Sequence, residues 1–146
     1  MQPRFEQTRP FVGRPLRNLW SRFEAEVAAG VGEHYADMTP ATNRIMILID
    51  REGTRIGELA RRAGMAKQSM AEAAATLEER GLVRREDDPA DRRAKLVVLT
   101  EEGERAIRLG RTIAEGVHDR WAEALGEKQM ARLVTLLDEL DAKLRE

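Results

Sequence analysis

Leu16, Leu19, Trp20, Phe23 and Val27 follow one another at three- and four-residue steps. That spacing places them on one stripe of a helix that opens at Pro15, a good first-turn residue, and runs to about Gly30 or a little beyond. Ahead of it, Pro3, Pro10 and Gly13, with Pro15 at the boundary, disfavour helix, so residues 1–14 read as an arm or extended lead-in. Thr39-Pro40 predicts the next helix start, because the Thr hydroxyl can cap free backbone N–H groups and Pro fits a first turn. The run Ile45–Ile49 is apolar almost all round, which predicts a buried helix ending before Gly53.

After the short segment Thr54-Arg55, Leu59, Ala60 and Ala63 make a brief inward face that Gly64 breaks. A second helix is predicted from about Lys67 to Arg80, with Met70, Ala73, Ala74 and Leu77 inward and Gly81 as its stop. Two short helices around a tight glycine turn form a helix-turn-helix pattern. The period then changes. Leu82–Arg85 and Lys95–Leu99 are strand-like, and residues 87–94 between them carry turn chemistry throughout. A charged hairpin directly after a helix-turn-helix is a wing. Thr100 is placed to cap a further helix, whose positive end suits Glu101, Glu102 and Glu104. That helix carries Ile107, Ile113, Ala114, Val117 and Trp121. A last one, from near Glu127, carries Met130 and then Leu133, Leu137, Leu140 and Leu144 at 4-3-4 spacing, a seam for another helix. The predicted fold class is mainly α with a small β-hairpin wing.

Composition agrees with that reading. Of 146 residues, 42% are hydrophobic, and only 4% are aromatic; Ala and Leu dominate the apolar set, and they favour helix over sheet. The formal net charge of −1 hides a gradient, with ten Lys+Arg against eight Asp+Glu over residues 55–100 and eight against eleven over 101–146. The more basic stretch is therefore the helix-turn-helix and wing, an asymmetry compatible with a local phosphate-binding face inside a near-neutral protein. Cysteine is absent, which excludes disulfides and thiolate chemistry. No stretch approaches the roughly 20 apolar residues that span a bilayer, and the first fifteen lack the apolar run of a signal peptide. A cytoplasmic protein with no membrane partner is the expectation.

A recognition helix meets base edges and phosphates with its outward polar side chains. Here these are Lys67, Gln68, Ser69 and Glu72. Gln can pair with adenine through two hydrogen bonds, and Lys can reach guanine or phosphate. Arg61 and Arg62, on the preceding helix, suit backbone contacts. In the wing, Arg92 and Arg93 occupy the hairpin tip, where a narrow minor groove attracts guanidinium groups, with Asp91 close enough in sequence to orient one by an ion pair and Lys95 following on the strand. A solvated helix face and an ordinary charged hairpin would look alike taken singly; their succession favours DNA.

Residues 39–103 resemble the MarR family of bacterial regulators. The likeness runs through MTPATNRIMILIDREG, IGELARRAGMAKQSM and LEERGLVRREDDPADRRAKLVVLTEEG, the last being the most specific string; the flanking helices match in order and length. The resemblance implies a homodimer on a pseudopalindromic operator, acting as a repressor. Residues 15–38 and 101–146 would dimerise, and residues 39–100 would form the DNA-binding module. Dimer contacts would come from Leu16, Leu19, Trp121, Leu133, Leu137, Leu140 and Leu144. Lys67, Gln68 and Ser69 would face the major groove, and Asp91 and Arg93 would form an Asp-x-Arg wing pair. The family also implies release by a small aromatic or phenolic anion. Two positions depart from the pattern: Ala66 stands where a Ser or Thr cap is common, and Glu72 where relatives have a basic or neutral contact.

An effector pocket could draw on Trp20, Phe23, His34, Tyr35 and Arg44, since Arg beside aromatics suits a carboxylate or phenolate. Trp20 and Phe23 suit a dimer core equally well. His34 and His118 are the only histidines, and two distant imidazoles without cysteine make no metal site; neither metal nor cofactor is expected. An adaptor that turns the same module toward another protein is the alternative, though it has no need of adjacent arginines at the hairpin tip. No nucleophile–base–acid set or phosphate-binding glycine loop points to an enzyme.

Overall fold

The computed structural model describes residues 11–36 and 38–145. Its elements are α1 (Gly13–Gly32), α2 (Pro40–Ile47), β1 (Thr54–Arg55), α3 (Ile56–Ala63), α4 (Lys67–Glu79), β2 (Val83–Asp88), β3 (Asp91–Leu99), α5 (Glu101–Leu125) and α6 (Glu127–Leu144). The three strands form one antiparallel sheet in the order β1-β3-β2. The fold is thus helical with a small winged sheet, the class its sequence pattern predicts.

Residues 1–10 of the expected arm lie outside the described residues, and Gly13 and Arg14 already belong to α1. Pro15 sits within the first turn, where the missing N–H would have had no helical partner. Thr39 caps α2 through a reciprocal pair: its Oγ1 accepts the Thr42 N–H at 3.2 Å, and Thr42 Oγ1 accepts the Thr39 N–H at 2.9 Å. The expected apolar helix over Ile45–Ile49 is shorter and less uniformly buried. It ends at Ile47, which is 61% exposed, while Ile45, Met46 and Ile49 are buried. Ile47 shares the face of α2 that carries Pro40, Asn43 and Arg44, and that face lines a cavity, whereas Ile45 and Met46 turn into the core.

Gly64 closes α3 in the left-handed conformation, φ +64°, and the Met65 N–H reaches back to the Ala60 carbonyl at 2.9 Å. That glycine turn delivers the chain into α4. The wing is longer than its turn-rich sequence predicts: β2 continues to Asp88 and β3 begins at Asp91, so Pro89-Ala90 alone make the turn. Cross-strand pairing, reinforced by the ion pair of Lys95 with the facing Asp87, overrides the local turn preference of Asp87 and Asp91, whereas residues 92–94 fall in a register shift and face no partner on β2.

One core joins α1 to α5 with the two long strands of the wing. Val31 from α1, Met46 from α2, Leu59 from α3, Met70 and Leu77 from α4, Val83 and Val97 from the wing, and Val117 from α5 are fully buried and belong to a single cluster. The start of α5 is locked to the base of the wing. Thr100 Oγ1 accepts the Gly103 N–H at 3.1 Å and donates to the Gly81 carbonyl at 2.5 Å, while the Thr100 N–H donates to the Leu82 carbonyl at 3.1 Å. A Cβ added at Gly103 would lie 2.0 Å from that Leu82 carbonyl oxygen. Backbone cannot retreat there without breaking the Thr100 bond. Replacing Gly103 with Ala is therefore expected to destabilise the fold by about 3 kcal/mol, the upper part of the range for overpacking. Urea unfolding followed by circular dichroism would read it, and a midpoint equal to that of the unsubstituted chain would contradict the close approach.

Candidate nucleic-acid interface

The outer face of α4 begins at its first residue. Ala66 precedes it in extended conformation and offers no side-chain cap, so the first-turn N–H groups gain no hydroxyl acceptor from that position. Lys67, Gln68, Ser69 and Glu72 are all exposed, whereas Met70, Ala74 and Leu77 on the opposite side are buried. Gln68 and Glu72 lie one turn apart, and Gln68 Nε2 donates to Glu72 Oε1 at 3.2 Å. The acidic residue at this unusual place thus orients the amide that could read a base.

Behind α4, the two arginines of α3 are engaged. Arg61 donates to both oxygens of Glu58, from Nε at 2.8 Å and Nη2 at 2.6 Å. Arg62 donates to Glu58 from Nε at 2.8 Å, and from Nη1 to Asp50 Oδ1 at 2.9 Å and to the Leu48 carbonyl at 3.0 Å. Arg61 and then Arg62 hold the Glu58 carboxyl down at about 2, and Asp50, with Glu58, raises the Arg62 guanidinium. Arg62 consequently ties α3 to the end of α2. Arg61 keeps an outward-facing guanidinium, with 72% of its side chain exposed.

Most wing cations are also paired: Arg84 with Glu86 at 2.6 Å, Arg85 with Glu78 of α4 at 3.2 Å, Lys95 with Asp87, and Arg55 of β1 with Asp88 at 2.5 Å. Arg92 and Arg93 differ. Both are exposed, and neither forms an ion pair among the described residues. The relation expected between Asp91 and a neighbouring guanidinium takes another form, since Asp91 Oδ1 accepts the backbone N–H of Arg93 at 3.1 Å. Two residues apart on a strand directly after a turn, that short carboxylate reaches the amide more readily than the side-chain tip.

The apolar stripes of α1, α5 and α6 do not close on each other. They line an open groove of about 800 Å³ that includes Leu16, Leu19, Trp20, Phe23, Trp121, Leu133 and Leu137. Leu140 and Leu144 continue along α6 beyond that groove, Leu144 at 77% exposure. Spacing alone did not single out Val134 and Leu125, which also line it, although Val134 stands one turn after Met130. His118, on the same wall, is exposed.

A second cavity of about 400 Å³ lies on the other side of Trp20 and Phe23 and holds Asn43, Arg44, Ile47 and Arg111. Trp20 and Phe23 stack with ring centroids 6.0 Å apart, and Phe23 meets Trp121 edge-on at 5.9 Å. Of the five residues expected to form an effector pocket, Trp20, Phe23 and Arg44 come together here and the other two do not. Tyr35 donates instead to Glu102 at 2.7 Å, an acceptor that pushes its phenol pKa up, and His34 lies exposed with Nδ1 3.4 Å from the Gly30 carbonyl. Both follow the end of α1, where the chain leaves the helical stripe. Arg44 is engaged by Glu24 at 2.5 Å. Among the described residues, no cluster of His, Asp or Glu could hold a metal ion, and no helix is long and apolar enough to cross a membrane.

Known proteins share this pattern. The sequence profile of the MarR family matches residues 36–94. The transcriptional regulator HosA of Escherichia coli O111:H- is 39% identical over 95 residues, spanning 64% of this chain and 70% of that protein. HosA of Escherichia coli O157:H7 is 34% identical over 102 residues, spanning 69% and 76%. Among solved structures, the transcriptional repressor CouR bound to a 23-mer DNA duplex superposes with a TM-score of 0.70 at 26% identity, over 90% of this chain and 92% of the other. Wild-type apo MarR from E. coli shares the fold, with a TM-score of 0.78 at 19% identity over 90% and 97%. The chain belongs to the MarR family and is a DNA-binding transcription regulator of the winged-helix type.

Proposed function

We propose that the chain binds a pseudopalindromic duplex operator as a homodimer and represses transcription, with α4 in the major groove and the wing in the adjacent minor groove. The observation that carries this reading is the pair of unpartnered guanidiniums at Arg92 and Arg93, in a module that engages its neighbouring arginines internally. Guanidiniums at a hairpin tip suit the negative potential of a narrow minor groove. On α4, Lys67 and Ser69 would contact phosphate or base edges, and Gln68, oriented by Glu72, would supply base discrimination. Arg61 and Lys95 would reach backbone phosphates, Arg62 would position α3, and Asp91 would hold the start of β3. Glu72 would accept from a cytosine amine or repel phosphate elsewhere, which adds selectivity. A protein-binding adaptor would leave the free tip arginines without a purpose. A cytoplasmic location goes with this function.

The groove between α1, α5 and α6 supports the dimer. Leu19, Trp20 and Leu137 along it, and Leu140 just beyond it on α6, are between 37% and 57% exposed, and a second copy of the same helices would cover them through a self-complementary contact. Separation of the two reading heads would then depend on how α1 sits against α2 and α5. The cavity beside Trp20 and Phe23 lies at that junction. An aromatic anion bound there, stacked on the rings and competing with Glu24 for Arg44, would shift the heads and release the operator.

Selection from a random pool of duplexes, at two salt concentrations, tests the central claim. Enrichment of an inverted repeat with half-sites about one helical turn apart is expected. On that sequence the Arg92→Ala/Arg93→Ala protein should bind at least tenfold more weakly, about 1.4 kcal/mol; unchanged affinity would remove the wing from the interface. Leu137→Glu should yield a monomer in sedimentation equilibrium, because a charge would face a buried seam. A mass still twice that of the chain would place the interface elsewhere. In a screen of aromatic carboxylates and phenols for operator release, Arg44→Ala should raise the concentration of an active compound needed for half-release several-fold. Equal sensitivity would move the effector site away from this cavity.

A further inference from the structure

Arg55 is an odd residue for its place. It occupies the cap position of α3, where Ser, Thr, Asp or Asn would accept first-turn N–H groups and where a positive charge faces the positive end of the helix. Its side chain makes no capping bond. It crosses the sheet instead to a residue 33 positions later, with Nε 2.6 Å and Nη2 2.5 Å from Asp88 Oδ2. On the far side of the same carboxylate, Oδ1 accepts the Ala90 N–H at 2.8 Å. Asp88 is 6% exposed and is the buried charged residue among those described.

Asp88 is also where the wing loses its regular register. The pairing of β2 with β3 is even from Val83–Leu99 to Asp87–Lys95, then shifts so that Asp88 faces Asp91. A bulge of this kind bends a strand and re-aims the side chains around it. The two-residue turn Pro89-Ala90 follows Asp88, and on the returning strand Arg92 and Arg93 are themselves among the residues that the register shift leaves without a partner on β2. β1 pairs with β3 only at Val97 and Leu96, close to the base of the hairpin. The distal half of the wing therefore has β1 beside it at no ladder position, and the Arg55 side chain is what spans from β1 to the bulge.

We propose that Arg55 is a positioning residue for operator binding: through the buried Asp88 carboxylate it clamps the wing's turn to β1 and fixes the direction in which Arg92 and Arg93 project. The inference rests on the DNA-binding reading given above. Its energetic logic is preorganisation, since a tip already held in its bound direction loses less freedom on entering a groove. The carboxylate's environment agrees, because the Ala90 N–H and the Arg55 guanidinium both hold Asp88 below the usual range and keep it charged. Arg55 itself would not have to touch DNA.

Two measurements on the full chain test this, one without DNA. In the free protein, Arg55→Gln and, independently, Asp88→Asn should speed hydrogen exchange of the Ala90 and Arg93 amides by about tenfold or more, roughly the 1.4 kcal/mol that corresponds to that factor. Amides of α5 should keep their rates. Unchanged exchange at Ala90 in both variants would overturn the clamp whatever the protein binds. On the duplex enriched by selection, Arg55→Gln should weaken binding about tenfold, Arg55→Lys should recover part of the loss, and the Arg55→Gln effect should vanish in the Arg92→Ala/Arg93→Ala background. A loss that persists undiminished in that background would make Arg55 a phosphate contact and overturn the positioning role. Failure of the unsubstituted chain to bind any duplex would instead refute the DNA-binding reading, and with it the use made of the clamp, while the exchange result would still decide whether the clamp exists.

Discussion

The close approach between the start of α5 and the base of the wing is the constraint on which the rest of the molecule depends. Gly103 faces the Leu82 carbonyl with no room for a methyl group, and Thr100 ties the same carbonyl and that of Gly81 to the first turn of α5. The end of α4, the root of the hairpin and the helix that leads away from it thus share one small joint. Interiors packed to crystal-like density transmit displacement rather than absorb it. A displacement of α5 would therefore be felt by the hairpin and the end of α4 together.

Charge is organised on the same principle. Glu58, Asp50, Glu86, Glu78, Asp87 and Asp88 each hold a cation of the winged module or its margin. Exposed pairs of this sort add little stability, but they fix long side chains in place and leave fewer mobile charges to attract nucleic acid indiscriminately. The near-balance of charge over residues 55–100 is consistent with that arrangement. On the proposed DNA-binding mode, the guanidiniums at the tip of the wing, and an amide on α4 held by its own carboxylate neighbour, would favour discrimination over bulk attraction.

Trp20 and Phe23 stand at the boundary between the two cavities. One side of this aromatic pair opens to the long apolar groove of α1, α5 and α6, and the other to the smaller cavity with Asn43, Arg44 and Arg111. Dimer core and ligand wall, which compete as explanations when only the helical spacing is known, are compatible roles for the two faces of one stacked pair. Ligand occupancy and subunit geometry would then be coupled through the same rings rather than through a distant path.

By itself, the sequence determined the elements and their order, because period, capping residues and glycine stops are local signals. The helix-turn-helix around Gly64, the cap at Thr39 and the start of α5 at Thr100 were all legible in this way, as was the outward exposure of Lys67, Gln68, Arg92 and Arg93. Only the tertiary structure decided which charges are spent internally. Arg55 and Asp88 meet across 33 residues, so no local pattern announces that pair. It also decided the length of the wing, since cross-strand pairing outweighed turn chemistry at Asp87 and Asp91, and it separated His34 and Tyr35 from Trp20, Phe23 and Arg44. Local signals act over one or two turns of chain, whereas ion pairs, cavities and register depend on which distant segments the common core brings together.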